Sequence, residues 1–268
     1  MPTIDIRPGL SIAYQDDCFA APWLTPETML LVHGNSESSS AWTQWVPYLA
    51  GRYRVIRIDM PGFGSSTAPD GYIWSAGALA SDIAHFLDAL SVERCHLIGA
   101  KYGGSISLQL ASDQPQRFLS LCIFGSPARG VGTGNADKIR AKGVRQWAAE
   151  TMRSRLGSTA SEAQLAWWTE LMGATDQRAA FGSSSALVSM NLDDRLPLII
   201  APTLIVTTQE SGLQTVEAVR QFAARIPDAR LIVLDGDSYH IAAVAPDLCA
   251  RHALEFIAQV SAGEGAAP

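Results

Sequence analysis

The sequence predicts an α/β fold in which a mostly parallel, eight-stranded sheet is flanked by helices. Three observations predict it. Short runs at residues 29–32, 95–98 and 119–124 are apolar but for His96 and Ser120, as suits parallel strands buried on both faces. Between them lie helical periods such as 76–90, with apolar residues at 79, 83, 86, 87 and 90. A chain of 268 residues, 47% hydrophobic and 17% charged, can bury the core such a sheet needs.

Taken in order, residues 3–7 and 10–15 alternate around Pro8-Gly9 and read as an antiparallel hairpin at the sheet edge. Residues 16–27 are a loop, and 29–32 a buried strand ended by His33-Gly34. A polar loop (35–40) leads to a short amphipathic helix over 41–50, with Trp42, Trp45 and Leu49 on one side. The next strand, 53–58, is rich in β-branched residues and closes on residues 59–66. The helix over 76–90 is followed by a strand at 95–98 and a helix at 105–112. Between these last two lies Gly99-Ala100-Lys101-Tyr102-Gly103-Gly104. Its glycines allow a sharp turn that pushes residue 101 out at the carboxyl end of the strand. Residues 115–118 turn, and 119–124 form another strand ended by Gly125-Ser126-Pro127.

The alternation then breaks. Helical periods run over 138–156, 162–172 and 186–192 with no strong strand between them. We read residues 128–196 as a helical cap inserted into a core formed by 1–127 and 197–268. The stretch carries Trp147, Trp167, Trp168 and Phe181, and Trp147 and Trp168 are expected to touch substrate. The strand pattern resumes at 202–206, with a helix at 214–226, a strand at 230–234, a loop at 235–240 and a final helix at 246–260. Residues 261–268 form a small-residue tail expected to fray.

Composition narrows the function. A formal charge of -6 and a pI near 5.3 disfavour nucleic acid as a partner. Four scattered cysteines show no CxxC spacing, and no His/Cys/Asp/Glu cluster has metal-ligand spacing. No glycine-rich phosphate loop opens a helix. We expect neither metal nor cofactor, and a small-molecule substrate. The start lacks the pattern of a secretory signal, and no apolar run reaches the ~20 residues that span a bilayer. A reduced, cytoplasmic setting is therefore expected.

Five segments together resemble the α/β-hydrolase superfamily over nearly the whole chain. His33-Gly34 resembles its oxyanion loop. Asp59 to Ser66 resembles its D-x-P-G-x-G-x-S turn. Gly99 to Gly104 resembles its nucleophile elbow. Glu210 follows a strand where the family carries its acid, and His240 stands in a loop where the family carries its base. The resemblance implies a hydrolase or C–C bond-cleaving enzyme acting on a small, mostly apolar carbonyl compound such as an ester, lactone or β-dicarbonyl. It implies His240 as base, Glu210 as its orienter, and the backbone N–H groups of Asn35 and Tyr102 as the oxyanion hole, beside Gly34. Asp237, three residues before His240, competes with Glu210. The family's dehalogenases use an asparagine at position 35 but need an aspartate at the elbow tip, which is absent here.

The departure from the family is Lys101, which stands where the nucleophilic serine is expected. Only three lysines occur in the chain, at 101, 138 and 142. Three roles are open to Lys101. As a neutral amine it would form a Schiff base with a carbonyl substrate and suit lyase or decarboxylase chemistry. As an ammonium ion it would be a fixed cation paired with Glu37 or a substrate carboxylate. In the third role it fills the pocket, bonded to Glu210 or Glu37, in a non-catalytic binding protein or an inactivated variant of the fold. Ester hydrolysis through the amine itself is disfavoured, because it would leave a stable amide on the enzyme.

Overall fold

The computed structural model describes residues 1–264. Eight strands form one sheet: β1 (Thr3–Arg7), β2 (Leu10–Asp17), β3 (Thr28–Val32), β4 (Arg54–Ile58), β5 (Cys95–Ala100), β6 (Phe118–Phe124), β7 (Thr203–Thr208) and β8 (Ala229–Leu234). Their spatial order is β1-β2-β4-β3-β5-β6-β7-β8. The hairpin β1–β2 and the β2–β4 pair are antiparallel, and every later pair is parallel.

Alternation along the strands decides which helix covers which face. Leu30, Val32, Ile56, Ile58, Leu97 and Leu121 point to one side. There they meet α2 (Ala76–Ala89) and α3 (Tyr102–Asp113). Met29, Leu31, Val55, Ile98, Cys122 and Phe124 point to the other side. They pack on α1 (Val46–Leu49) and α10 (Pro246–Glu264). The central strands are buried on both faces, which is why they read as mostly apolar runs. Among the described residues no helix is long and apolar enough to cross a membrane.

Four helices fill the interval between β6 and β7: α4 (Asn135–Lys142), α5 (Val144–Leu156), α6 (Glu162–Gly173) and α7 (Gln177–Val188). They share a core of their own around Ile139, Trp147, Met152, Trp168 and Met172. Two further short helices lie beyond β7: α8 (Val216–Ala223) and α9 (Ile241–Val244).

The structure differs from the sequence reading in four places. The helix expected over 41–50 is a 3-10 turn (Ser39–Trp42) followed by α1. Pro47 has no N–H to donate and sits in the first turn of α1, where none is needed. The helix expected over 138–156 divides at Gly143, whose φ of 81° ends α4 and starts α5 anew. The helix expected at 186–192 is instead α7, starting nine residues earlier behind an Asp176 cap. Its buried stripe is Ala179, Ala180, Ser183 and Ser184, too small and polar to register as an apolar period. The tail expected to fray is helical to Glu264, and its last residues, 265–268, lie outside the described residues.

Candidate active site

Lys101 stands between β5 and α3 with φ 53° and ψ -121°. A non-glycine residue held there carries a strain of about 1–3 kcal/mol, which its surroundings must offset. Its N–H donates to the Phe124 carbonyl at 2.9 Å, and its carbonyl accepts from Gly104 and Ser105. Gly103 lets the turn sit hard against β3. A Cβ at that position would run into the carbonyl oxygens of Val32 and His33.

The Lys101 side chain is buried and reaches Glu37, its Nζ donating to Oε1 at 2.9 Å. Glu37 comes from the loop after β3. Its Oε2 accepts the Gly34 N–H at 2.9 Å. His240, the residue before α9, brings Nε2 to 3.0 Å from the same Oε1. Among the described residues Nδ1 of His240 has no partner, and Nε2 meets Glu37 off the line of a well-aligned hydrogen bond. The ring is wedged edge-to-face against Trp168, with centroids 4.7 Å apart. Its backbone N–H donates to the Arg155 carbonyl and to Ser238 Oγ, both at 3.1 Å.

Charges in this cluster follow from burial and contact. Burial pushes the Lys101 amine down to about 8; Glu37 opposes the shift and Arg155 adds to it. Burial favours the neutral Glu37 acid, but His240 and Lys101 outweigh it and hold the carboxyl well below the usual range. Burial also lowers His240, with Glu37 opposing, so its neutral form prevails at pH 7. His33 is structural. Its Nδ1–H donates to the Gly34 carbonyl at 2.7 Å, and its Nε2 accepts the Met60 N–H at 3.0 Å, which fixes a neutral tautomer.

The other residues named from sequence separate into those at the site and those away from it. Tyr102 opens α3, so its amide is among the four that lack an intrahelical acceptor. Its hydroxyl donates to the Trp74 carbonyl at 2.7 Å. The Asn35 side chain is tied to α7: Nδ2 donates to Ser184 Oγ at 2.9 Å and Oδ1 accepts from Ser183. Gly34 has spent its amide on Glu37. Trp147 donates from Nε1 to Asn135 at 3.2 Å and carries the Arg155 guanidinium 4.6 Å above its ring. Glu210 is the correction. It is exposed on the turn after β7, where its N–H donates to the Gly236 carbonyl, and the carboxylate that meets His240 is Glu37. Asp237 does not orient the imidazole either, because both its oxygens accept the Ser158 N–H at 3.0 Å.

Lys101 faces a cavity of about 50 Å³ whose wall also includes Asn35, Tyr102, Trp147, Arg155 and Tyr239. Glu37 and His240 lie behind Lys101, off that wall. A wider groove of about 340 Å³ is bounded by Ser40, Ala41, Thr43, Gln44, Trp167 and Trp168, and no ionisable side chain lines it. The titratable chemistry therefore sits in the small cavity. Arg155 was not singled out from the sequence. It occupies the same stripe of α5 as Val144, Trp147, Ala148 and Met152, an inward position that the period of the helix gives away.

Residues 27–160 match the family model for the alpha/beta hydrolase fold. The chain is 31% identical over 227 residues to a pimeloyl-[acyl-carrier protein] methyl ester esterase of Aeromonas hydrophila, covering 79% of this chain and 87% of that one. It is 36% identical over 101 residues to a 2-hydroxy-6-oxo-2,4-heptadienoate hydrolase of Pseudomonas putida, 37% of each chain. Among solved structures, the enol-lactonase of Burkholderia xenovorans LB400 superposes with a TM-score of 0.86 at 23% identity. That likeness covers 96% of this chain and all of the other, and it is a likeness of fold.

Proposed function

The chain belongs to the α/β-hydrolase family of enzymes, and on that footing we propose that it cleaves a small carbonyl compound with Lys101 as the acid that meets the developing oxyanion. The substrate class is an ester, lactone or β-dicarbonyl. One observation carries this reading: the Lys101 ammonium is held 2.9 Å from a buried, ionised Glu37 while facing the cavity. An amine in that role is a proton donor rather than an acyl acceptor. The arrangement behind His240 supports the same reading. No carboxylate orients its Nδ1, so the relay that activates a hydroxyl nucleophile is missing its third member.

In this mechanism water adds to the carbonyl and the C–C or C–O bond breaks. The departing enolate or alkoxide oxygen takes a proton from Lys101 Nζ. The neutral amine left behind takes up the proton that the added water loses, which restores the ammonium with Glu37 as its counter-ion. The amides of Tyr102 and Asn35 add hydrogen bonds to the carbonyl oxygen. Residues 128–196 serve as the cap, an assignment supported by the Ser183 and Ser184 contacts to Asn35 and by Trp168 against His240.

The test is turnover of a panel of small esters, lactones and β-diketones by Lys101→Met. Removing one donor of this kind costs on the order of 10²–10³ in turnover. Full activity in that variant overturns the reading. A second reading, Schiff-base formation, draws on the lowered basicity of Lys101. A value of about 8 leaves about one amine in ten neutral at pH 7. Borohydride added during turnover separates the two: an adduct on Lys101 establishes the imine, and an unlabelled enzyme supports the acid role.

A further inference from the structure

Arg155 stands out among the basic side chains. It is 6% exposed, yet among the described residues it forms no ion pair. Its Nε donates to Thr151 Oγ1 at 3.1 Å, and its guanidinium plane lies over Trp147. Those two contacts satisfy one donor and one face. The remaining N–H groups belong to a side chain that lines the Lys101 cavity. Burying a guanidinium with no anion beside it is costly. A ligand carboxylate would supply the missing charge and bond the guanidinium fork in a bidentate way.

Charge on the wall leads to the same conclusion. Glu37 neutralises Lys101, and His240 is neutral near pH 7. Arg155 is then an uncompensated positive charge beside a cavity whose remaining wall is amide, phenol and indole groups together with apolar Pro127, Val131, Leu187 and Leu213. The cavity of about 50 Å³ exceeds the roughly 10–15 Å³ that a single water needs. That space suits a carboxylate head group. The docking of α5 keeps it in register with the catalytic loop, because the carbonyl of this same residue accepts from His240 N and from Ser238 Oγ.

We propose that Arg155 is a carboxylate anchor, and that the ligand of this cavity is an oxo acid whose carboxylate pairs with Arg155 while its carbonyl faces Lys101. The inference deepens the reading given above, since it names the substrate class of the same site. It differs from the sequence expectation of a mostly apolar substrate.

The experiment is a binding titration that needs no turnover. Pyruvate and acetate are compared with methyl pyruvate and acetamide, at constant ionic strength, by calorimetry or by fluorescence of the tryptophan beneath the guanidinium. The wild-type protein is expected to bind the carboxylates about tenfold or more tighter than the neutral analogues. Arg155→Met keeps the apolar stem over Trp147 and is expected to erase that preference. Arg155→Lys is expected to keep part of it. Lys101→Met is expected to keep the preference while losing turnover. Equal affinity for charged and neutral probes in the wild type overturns the proposal, whatever becomes of the variants. So does a preference that survives Arg155→Met but vanishes in Lys101→Met, which would make Lys101 the anchor. Failure of the acid role shows separately, as Lys101→Met that turns over normally with the carboxylate preference intact.

Discussion

Replacing Glu37 by glutamine tests whether the buried carboxylate sets the state of Lys101. The change is nearly isosteric, and the glutamine oxygen can still accept the Gly34 N–H. What disappears is the negative charge 2.9 Å from the ammonium. An opposite charge at such range holds a group's pKa by about 1–3 units. Lys101, already pushed down to about 8, is expected to fall into a window of about 5–7 in Glu37→Gln. With lysine at only three positions, ¹³Cε labelling gives a spectrum simple enough to follow residue 101 alone, because Lys138 and Lys142 are exposed on α4. The midpoint of the Lys101 resonance is read in both proteins. A midpoint that stays put or rises in Glu37→Gln refutes the pairing as the controlling interaction. The linkage to stability has a definite sign. Between about 8 and 10.5 the unfolded chain binds a proton that the folded chain has released, so this group's contribution rises with pH. Over that span the change is about 3 kcal/mol, and the penalty is fully present below pH 8. In Glu37→Gln the rise begins at lower pH.

Three further outcomes are expected. Glu210→Ala should leave turnover within about twofold, since surface changes away from special contacts are close to neutral; a hundredfold loss in kcat would return Glu210 to the site. Lys101→Ser should give no stoichiometric burst of nitrophenol from p-nitrophenyl acetate, because His240 Nδ1 has no carboxylate to orient it, and a full burst would show a working relay. Gly103→Ala should lose at least about 3 kcal/mol in urea unfolding, because the new methyl meets backbone carbonyls of β3 that cannot step aside. Unfolding within 1 kcal/mol of wild type, on the order of error plus a mild overpacking cost, would show that the turn relaxes.

Much of the fold could be read from the chain because the central strands are covered on both sides. Residues 29–32, 95–98 and 119–124 are apolar but for His96 and Ser120, which bond each other inside the sheet, and such runs are hard to mistake. The tip at residue 101 was legible for a steric reason: glycines at 99, 103 and 104 have no room for a Cβ. The partner of His240 was not legible. Chain order pointed to Glu210, but which carboxylate meets the imidazole depends on how the loop after β3 folds back, and no periodicity encodes a loop path. Glu37 was named as a partner for Lys101, yet nothing in the sequence joined it to a residue two hundred positions away. α7 was misplaced because its inner face is alanine and serine. Arg155 was passed over because an arginine in the last turn of a helix also suits the solvent and the helix dipole.

The elements carrying Lys101 and Glu37 are neighbours in the sheet, with Val32 paired to Gly99 at the end of the β3–β5 ladder. Lys101 follows β5 directly, and Glu37 returns to it from the loop after β3, pinned there by the Gly34 N–H. The helical segment above is tied to the cluster by main chain as well as side chains, because the Arg155 carbonyl accepts the His240 N–H. The acid and its counter-ion are thus anchored from the sheet and the imidazole from the helices, so that one charge cluster joins the two parts of the chain.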